Sequence, residues 1–231
     1  MIAAQLATAG LDPRMAAVRA DLADAALRTV VAVPRYAQPE RMACALAFTA
    51  LLDAPDGEQS SELLNGEHFM QLDANHGWAW GYSALDHYVG YCRADALGPA
   101  CDVAPVSHAK DPVSFAHQFL DMPYVWGGRG GAGIDCSGLV QRSMAAIGVA
   151  ALRDSDMQRE TLGEALPEGA TMHCGDVVFF PGHVGMMVDA EQLIHATRYH
   201  MKTLVEPLAT VVARVIRKHG LGILARKRVK W

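Results

Sequence analysis

The stretch PYVWGGRGGAGIDCSGLVQ, residues 123–141, decides the fold of the larger half of the chain. Its first twelve residues hold five glycines and cannot be regular structure, so they read as a loop. Asp135 then caps a helix carrying Leu139, Val140, Ser143, Met144 and Ile147, with Gly148 as its C-terminal stop. Cys136 falls in the first turn of that helix. Exposed N–H groups and the positive end of the helix dipole there favour a thiolate and suit an oxyanion. A cysteine at a helix start is, by itself, more often structural.

Working outward, a helical stretch VSFAHQFL (113–120) precedes the loop, and a polar loop follows the Cys136 helix. Then come VVFF (177–180), VGMMV (184–188) and LIHA (193–196), three apolar runs of strand length. Helices followed by a sheet predict an α+β domain. Asp189-Ala190-Glu191 is the predicted turn between the last two runs, which sets His183 and His195 opposite or one diagonal apart on one face. With Cys136, this is a nucleophile, a base and a group that orients the base. The competing readings are two ordinary histidines, or a zinc site whose spacing matches no common zinc pattern. No metal or cofactor is expected.

Residues 42–96 have a different texture: short apolar runs broken by DAPDG, Asn-Gly and His-Gly, as in a small all-β unit. Val18, Leu22, Ala26 and Val30 recur at helical spacing behind Asp12-Pro13, predicting a helix over about 12–33. Residues 97–111, with prolines at 99 and 105, read as the connector to the second unit. The tail GLGILARKRVKW (220–231) reads as a closing strand with a basic end.

Composition narrows the function classes. The chain of 231 residues is 51% hydrophobic and 19% charged, enough for one large or two modest domains. A net charge of −5 argues against nucleic acid. No run approaches the ~18 apolar residues of a spanning helix, and the N-terminus lacks a basic secretory n-region, so a cytoplasmic chain without a membrane partner is expected. Five cysteines (44, 92, 101, 136, 174) without CxxC spacing suggest free thiols.

PYVWGG, IDCSGLVQ, GDVVFF, HVGMMV and LIHAT together resemble the NlpC family of bacterial cell-wall cysteine peptidases, over roughly residues 112–215. The resemblance implies a papain-like core with Cys136 as nucleophile, His183 as base, His195 as third member, and Tyr124 beside the oxyanion. ELLNGE, GWAW and HYVGYC are similar to a bacterial SH3-like barrel. The implied organisation is an N-terminal helical segment (1–39), a barrel (40–105) and a catalytic domain (106–231). This order is similar to that of the YkfC-type γ-D-glutamyl-L-diamino-acid endopeptidases, without room for the second SH3-like domain of some members. The subgroup's binding pattern implies Ser137 and Asp154, with Glu62 and Tyr88 from the barrel (Tyr82 or Tyr91 as replacements for Tyr88), as groups that hold the free N-terminal L-Ala of a murein tripeptide or tetrapeptide. Peptidoglycan recycling is the implied setting. An amidase or acyltransferase on the same fold, or a non-catalytic peptide-binding protein, are the alternatives. Diamino-acid preference and oligomeric state stay open.

Overall fold

A computed structural model describes residues 1–100 and 109–231, which fall into two compact units divided after Ala104. Cys101 and the expected domain boundary between residues 105 and 106 lie outside the described residues.

The first unit opens with a short helix, α1 (Ile2–Thr8), then β1 (Leu22–Asp24) and β2 (Arg35–Ala37), which pair in parallel. Seven strands follow: β3 (Glu40–Cys44), β4 (Phe48–Leu52), β5 (Gln59–Leu64), β6 (His68–Asn75), β7 (Trp78–Ser83), β8 (Val89–Arg93) and β9 (Leu97–Pro99). They form one antiparallel sheet in the order β5-β4-β8-β7-β6-β3-β9. The Asn65-Gly66 and His76-Gly77 breaks are two of its turns, both glycines and His76 having positive φ.

The helix expected over 12–33 is not there. Its apolar residues are shared between two clusters instead: Ala16, Ala23 and Val31 pack with Leu6, while Ala17 and Leu22 pack with Leu72 and Trp80. One helical stripe cannot serve both. Arg19 secures the alternative, its guanidinium 2.7 Å from Asp73 and stacked over the Trp80 ring. Tertiary packing has overridden a helical spacing. The connector is also shorter than expected, because Leu97–Pro99 pairs with β3 as an edge strand.

The second unit begins with α2 (Pro112–Ala116), capped by the Asp111 carboxylate and started by Pro112. After the glycine loop comes α3 (Cys136–Ala145), then α4 (Ser155–Thr161) inside what reads as a polar loop. β10 (Glu164–Ala165), β11 (Val177–Phe180), β12 (His183–Met187), β13 (Gln192–Thr197), β14 (Lys202–Pro207), α5 (Leu208–His219) and β15 (Ala225–Arg228) complete the chain. The six strands form an antiparallel sheet in the order β10-β15-β11-β12-β13-β14. Both faces are covered. Leu139, Val140 and Met144 of α3 pack with Val177, Phe179, Val184, Met186 and Ile194, while Val178, Phe180, Met187 and Leu193 meet Val211 of α5. This explains why the central strands read as unbroken apolar runs. The basic tail strand is an interior strand, paired with β10 on one side and β11 on the other, and its charges are matched: Arg228 pairs with Asp176 at 2.6 Å and Lys230 with Glu164 at 2.7 Å.

Among the described residues no helix is long and apolar enough to cross a membrane.

Candidate active site

Asp135 organises the start of α3. Its carboxylate accepts the N–H of Gly138 at 2.7 Å as the helix cap and the N–H of Gly127 at 2.9 Å from the glycine loop. Gly138 has to be glycine, since a Cβ there would run into the carbonyl oxygen of Gly128. The same carboxylate forms a fork with Arg153, at 3.0 Å and 2.6 Å, and Arg153 also donates to the Ser137 hydroxyl at 2.9 Å. Both members of the pair are buried, at 1% and 5% side-chain exposure. Removing one would leave the other charged and alone, so Arg153→Met is expected to lower stability by about 3–5 kcal/mol in urea unfolding. A loss below about 1 kcal/mol would mean that water or a neighbour replaces the guanidinium.

Cys136 is the first residue of α3 and is buried at 6% exposure. The backbone N–H groups of Val184 and Ser137 pull its pKa downward, which puts it near the residue that follows His183. The expected thiolate-favouring effect of the helix start is outweighed. Burial, with the nearby Asp135 charge, pushes the thiol up to about 12. Tyr124, also buried, has its hydroxyl pushed up by burial and by its nearness to Cys136, so it stays protonated.

The strand register shows why the histidines meet. Met186 lies opposite Ile194 and Met187 opposite Leu193, which sets Gly185 opposite His195 and makes His183 the diagonal neighbour. Gly185 has no side chain to fill the space over His195; a Cβ there would come within 3.1 Å of the His195 Cβ. The two rings therefore meet edge-on at 60°, with His183 Nε2 2.7 Å from His195 Nδ1. Burial lowers His183 to about 3, with the neighbouring His195 and Arg214 adding to the effect. His195 is also lowered by burial, against the opposing pull of Glu206.

Glu206 is a residue that the sequence reading missed. On β14, Leu204 faces His195, so Glu206 is a diagonal neighbour on the far side from His183. Its Oε1 lies 2.9 Å from His195 Nε2, and Arg214 of α5 grips both carboxylate oxygens, one of them at 3.1 Å. Burial alone would raise this carboxyl, but the bonds from His195 and Arg214 win and hold it at about 2. A carboxylate can only accept. His195 must then carry its proton on Nε2 and accept at Nδ1, which makes His183 donate from Nε2 and leaves its Nδ1 lone pair available as a base.

The substrate residues expected from the sequence divide between the units. Ser137 lies in the Arg153–Asp135 network, its hydroxyl 3.2 Å from Asp135 Oδ1. Asp154 is the N-cap of α4, directly after Arg153, and makes no side-chain cap bond. Glu62 and Tyr88 belong to the first unit, Glu62 on β5 at 2% exposure and Tyr88 just before β8 at 6%. The alternative Tyr82 donates its hydroxyl to Asp24 at 3.0 Å, and Tyr91 lies on β8 beside the Trp80 ring. Among the described residues no group of three or more His, Cys, Asp and Glu could hold a metal ion.

Residues 121–216 match the NlpC/P60 family, and residues 51–97 match the bacterial dipeptidyl-peptidase Sh3 domain. The chain is 34% identical over 114 residues to dipeptidyl-peptidase 6 of Lysinibacillus sphaericus, a match covering 47% of this chain and 41% of that protein. It is 33% identical over 109 residues to the γ-D-glutamyl-L-lysine dipeptidyl-peptidase of Bacillus subtilis (strain 168), covering 42% and 36%. A crystal structure of an NlpC/P60 family protein from Bacillus cereus aligns over 82% of this chain and 63% of that one, with a TM-score of 0.46 and 21% identity. The matches thus span less than half the length of these curated relatives. With the α+β architecture of the second unit, these findings identify the chain as carrying a papain-like NlpC/P60 domain preceded by a bacterial dipeptidyl-peptidase SH3 domain.

Proposed function

We propose that the chain is a cysteine peptidase that cleaves the γ-D-Glu–diamino-acid bond of murein peptides bearing a free N-terminal L-Ala. The observation that carries this reading is the set of groups at the α3 start: Cys136 next to the backbone of Val184, the residue that follows His183, and the His183–His195 pair at 2.7 Å. The thiol gives its proton to His183 Nδ1 as sulfur attacks the γ-carbonyl carbon of D-Glu. His183 returns that proton to the leaving amine as the C–N bond breaks, which leaves a thioester. Water, deprotonated by the same imidazole, then releases the acid and restores the thiol. The protonated Tyr124 hydroxyl is a donor suited to the tetrahedral oxyanion.

Ser137 and Asp154 are the proposed partners of the substrate ammonium. The Ser137 hydroxyl donates to Asp135 and accepts from Arg153, so those two bonds leave it one acceptor lone pair. The Arg153 charge is already balanced by Asp135, and Asp154 supplies the countercharge an ammonium needs. A pocket built this way suits peptides already released from glycan, in which L-Ala has a free amine. The names of the two relatives, a dipeptidyl-peptidase 6 and a γ-D-glutamyl-L-lysine dipeptidyl-peptidase, agree with such chemistry.

The test is hydrolysis of L-Ala-γ-D-Glu-meso-diaminopimelate beside its N-acetylated twin. Cleavage of the free-amine peptide alone is expected. Equal cleavage of both would remove the ammonium pocket and the recycling role, and cleavage of neither would favour the amidase, acyltransferase or peptide-binding readings.

A pH profile tests the base separately. His183 accepts a proton only while neutral, so activity is lost as pH falls through its pKa. Because burial lowers that value to about 3, the acid limb of kcat/KM is expected well below 6.5, the ordinary histidine value. A limb at the ordinary value would show that His183 works while hydrated.

A further inference from the structure

Beside His183 lies a cavity of about 240 Å³, closed on one side by the β12–β13 end of the sheet and on the other by α5. Its lining includes Tyr124, His183, Arg198, Arg214, Lys218 and His219, and no carboxylate. Arg214 is committed to Glu206. Arg198, in the turn after β13, lies with its guanidinium 5.9 Å over the Trp126 ring, and Lys218 stands exposed in the last turn of α5. Nothing in the thiol chemistry requires two exposed cations at this place.

Their position relative to His183 suggests a use, which rests on the peptidase reading above. His183 hands its proton to the leaving nitrogen, so the group attached to that nitrogen must lie next to the His183 ring. The leaving group is a diamino acid. A lysine side chain ends in an ammonium, which this lining repels. The side chain of diaminopimelate ends in an ammonium and a carboxylate, and the carboxylate can accept from Arg198 and Lys218.

We propose that the cavity lined by His183, Arg198 and Lys218 is the leaving-group subsite, and that it selects diamino acids carrying a side-chain carboxylate over lysine. The α-carboxylate of the leaving residue has the same chemistry, and amidating it separates the two sources.

The experiment compares L-Ala-γ-D-Glu-meso-diaminopimelate with L-Ala-γ-D-Glu-L-Lys, each as the free acid and with its α-carboxylate amidated, on the full chain. It uses wild type and an Arg198→Gln/Lys218→Gln variant, both checked for an unchanged melting temperature. Calorimetric binding of the same peptides to Cys136→Ala provides a readout independent of cleavage. The expected result is a preference of about tenfold or more in kcat/KM for the diaminopimelate peptides, from the net worth of charge-assisted hydrogen bonds. The preference should persist in the amides and disappear in the double variant. Equal cleavage of both peptides, or a preference lost on amidation, would overturn the proposal while leaving the peptidase reading standing. Selective binding by Cys136→Ala without cleavage by wild type would do the reverse, keeping the subsite and discarding the reaction.

Discussion

Cys136→Ala is expected to lose hydrolysis of L-Ala-γ-D-Glu-meso-diaminopimelate by on the order of 10⁶ in kcat, the scale seen when a covalent nucleophile is deleted. Burial raises the Cys136 thiol and lowers His183, so the resting pair is thiol and neutral imidazole rather than an ion pair. Proton transfer and sulfur attack are then coupled, and no other group at the α3 start can take the role of sulfur. The Ser137 hydroxyl is already held by Asp135 and Arg153. The substitution removes one buried sulfur and keeps the Asp135 cap, so the folded state should lose only about 1 kcal/mol. An intact melting transition with absent turnover is the expected pair of measurements. Residual activity above about one per cent of wild type would place the chemistry elsewhere. A peptide-binding protein would show unchanged affinity in this variant and no turnover in wild type. The resting state also bears on thiol labelling: among the described cysteines Cys44, Cys92 and Cys136 are buried, leaving Cys174 as the exposed one that iodoacetamide should reach first.

What could be read from the chain beforehand follows from how each element is buried. VVFF, VGMMV and LIHA lie in a sheet covered on both faces, so their apolar runs announce strands without alternation. Asp135 before Cys136 is a local signal, because a cap acts within three residues. The His183–His195 relation is semi-local, fixed by one tight turn in which Asp189 accepts the N–H groups of Glu191 and Gln192. The failures are of another kind. The spacing of Val18, Leu22, Ala26 and Val30 satisfies a helix, but the residues between them are needed in two separate clusters. In β14 the buried residues are Thr203 and Glu206, three apart, which fits no strand alternation and hides the strand. Glu206 gains its meaning from His195 on one side and Arg214, a helix turn and more away on α5, on the other. Arg198 and Lys218 likewise come from separate elements and meet only around a cavity.

Glu206→Gln tests whether that carboxylate sets the proton arrangement of the site, and kcat is expected to fall by on the order of 10² with KM little changed. The glutamine is nearly isosteric and keeps an oxygen for Arg214, but its amide can donate as well as accept. If the amide donates to His195 Nε2, the His195 proton moves to Nδ1. His183 Nε2 must then accept, its own proton goes to Nδ1, and the lone pair required by the thiol is gone. The carboxylate forbids this reversed arrangement because it cannot donate and is held ionised by His195 and Arg214. Glu206 touches neither thiol nor substrate in this scheme; it is a positioning residue that acts through His195. Nitrogen NMR shifts of the two imidazoles distinguish this role from simple support of the fold, since the wild type should show His195 protonated at Nε2 and the variant a mixture. The acid limb offers a further check. Glu206 pulls the pKa values of both histidines upward, so its neutralisation should move the limb to lower pH while the plateau drops. An unchanged plateau with a lowered melting temperature would mean that Glu206 only ties β14 to α5 and that the His195 tautomer is set without it.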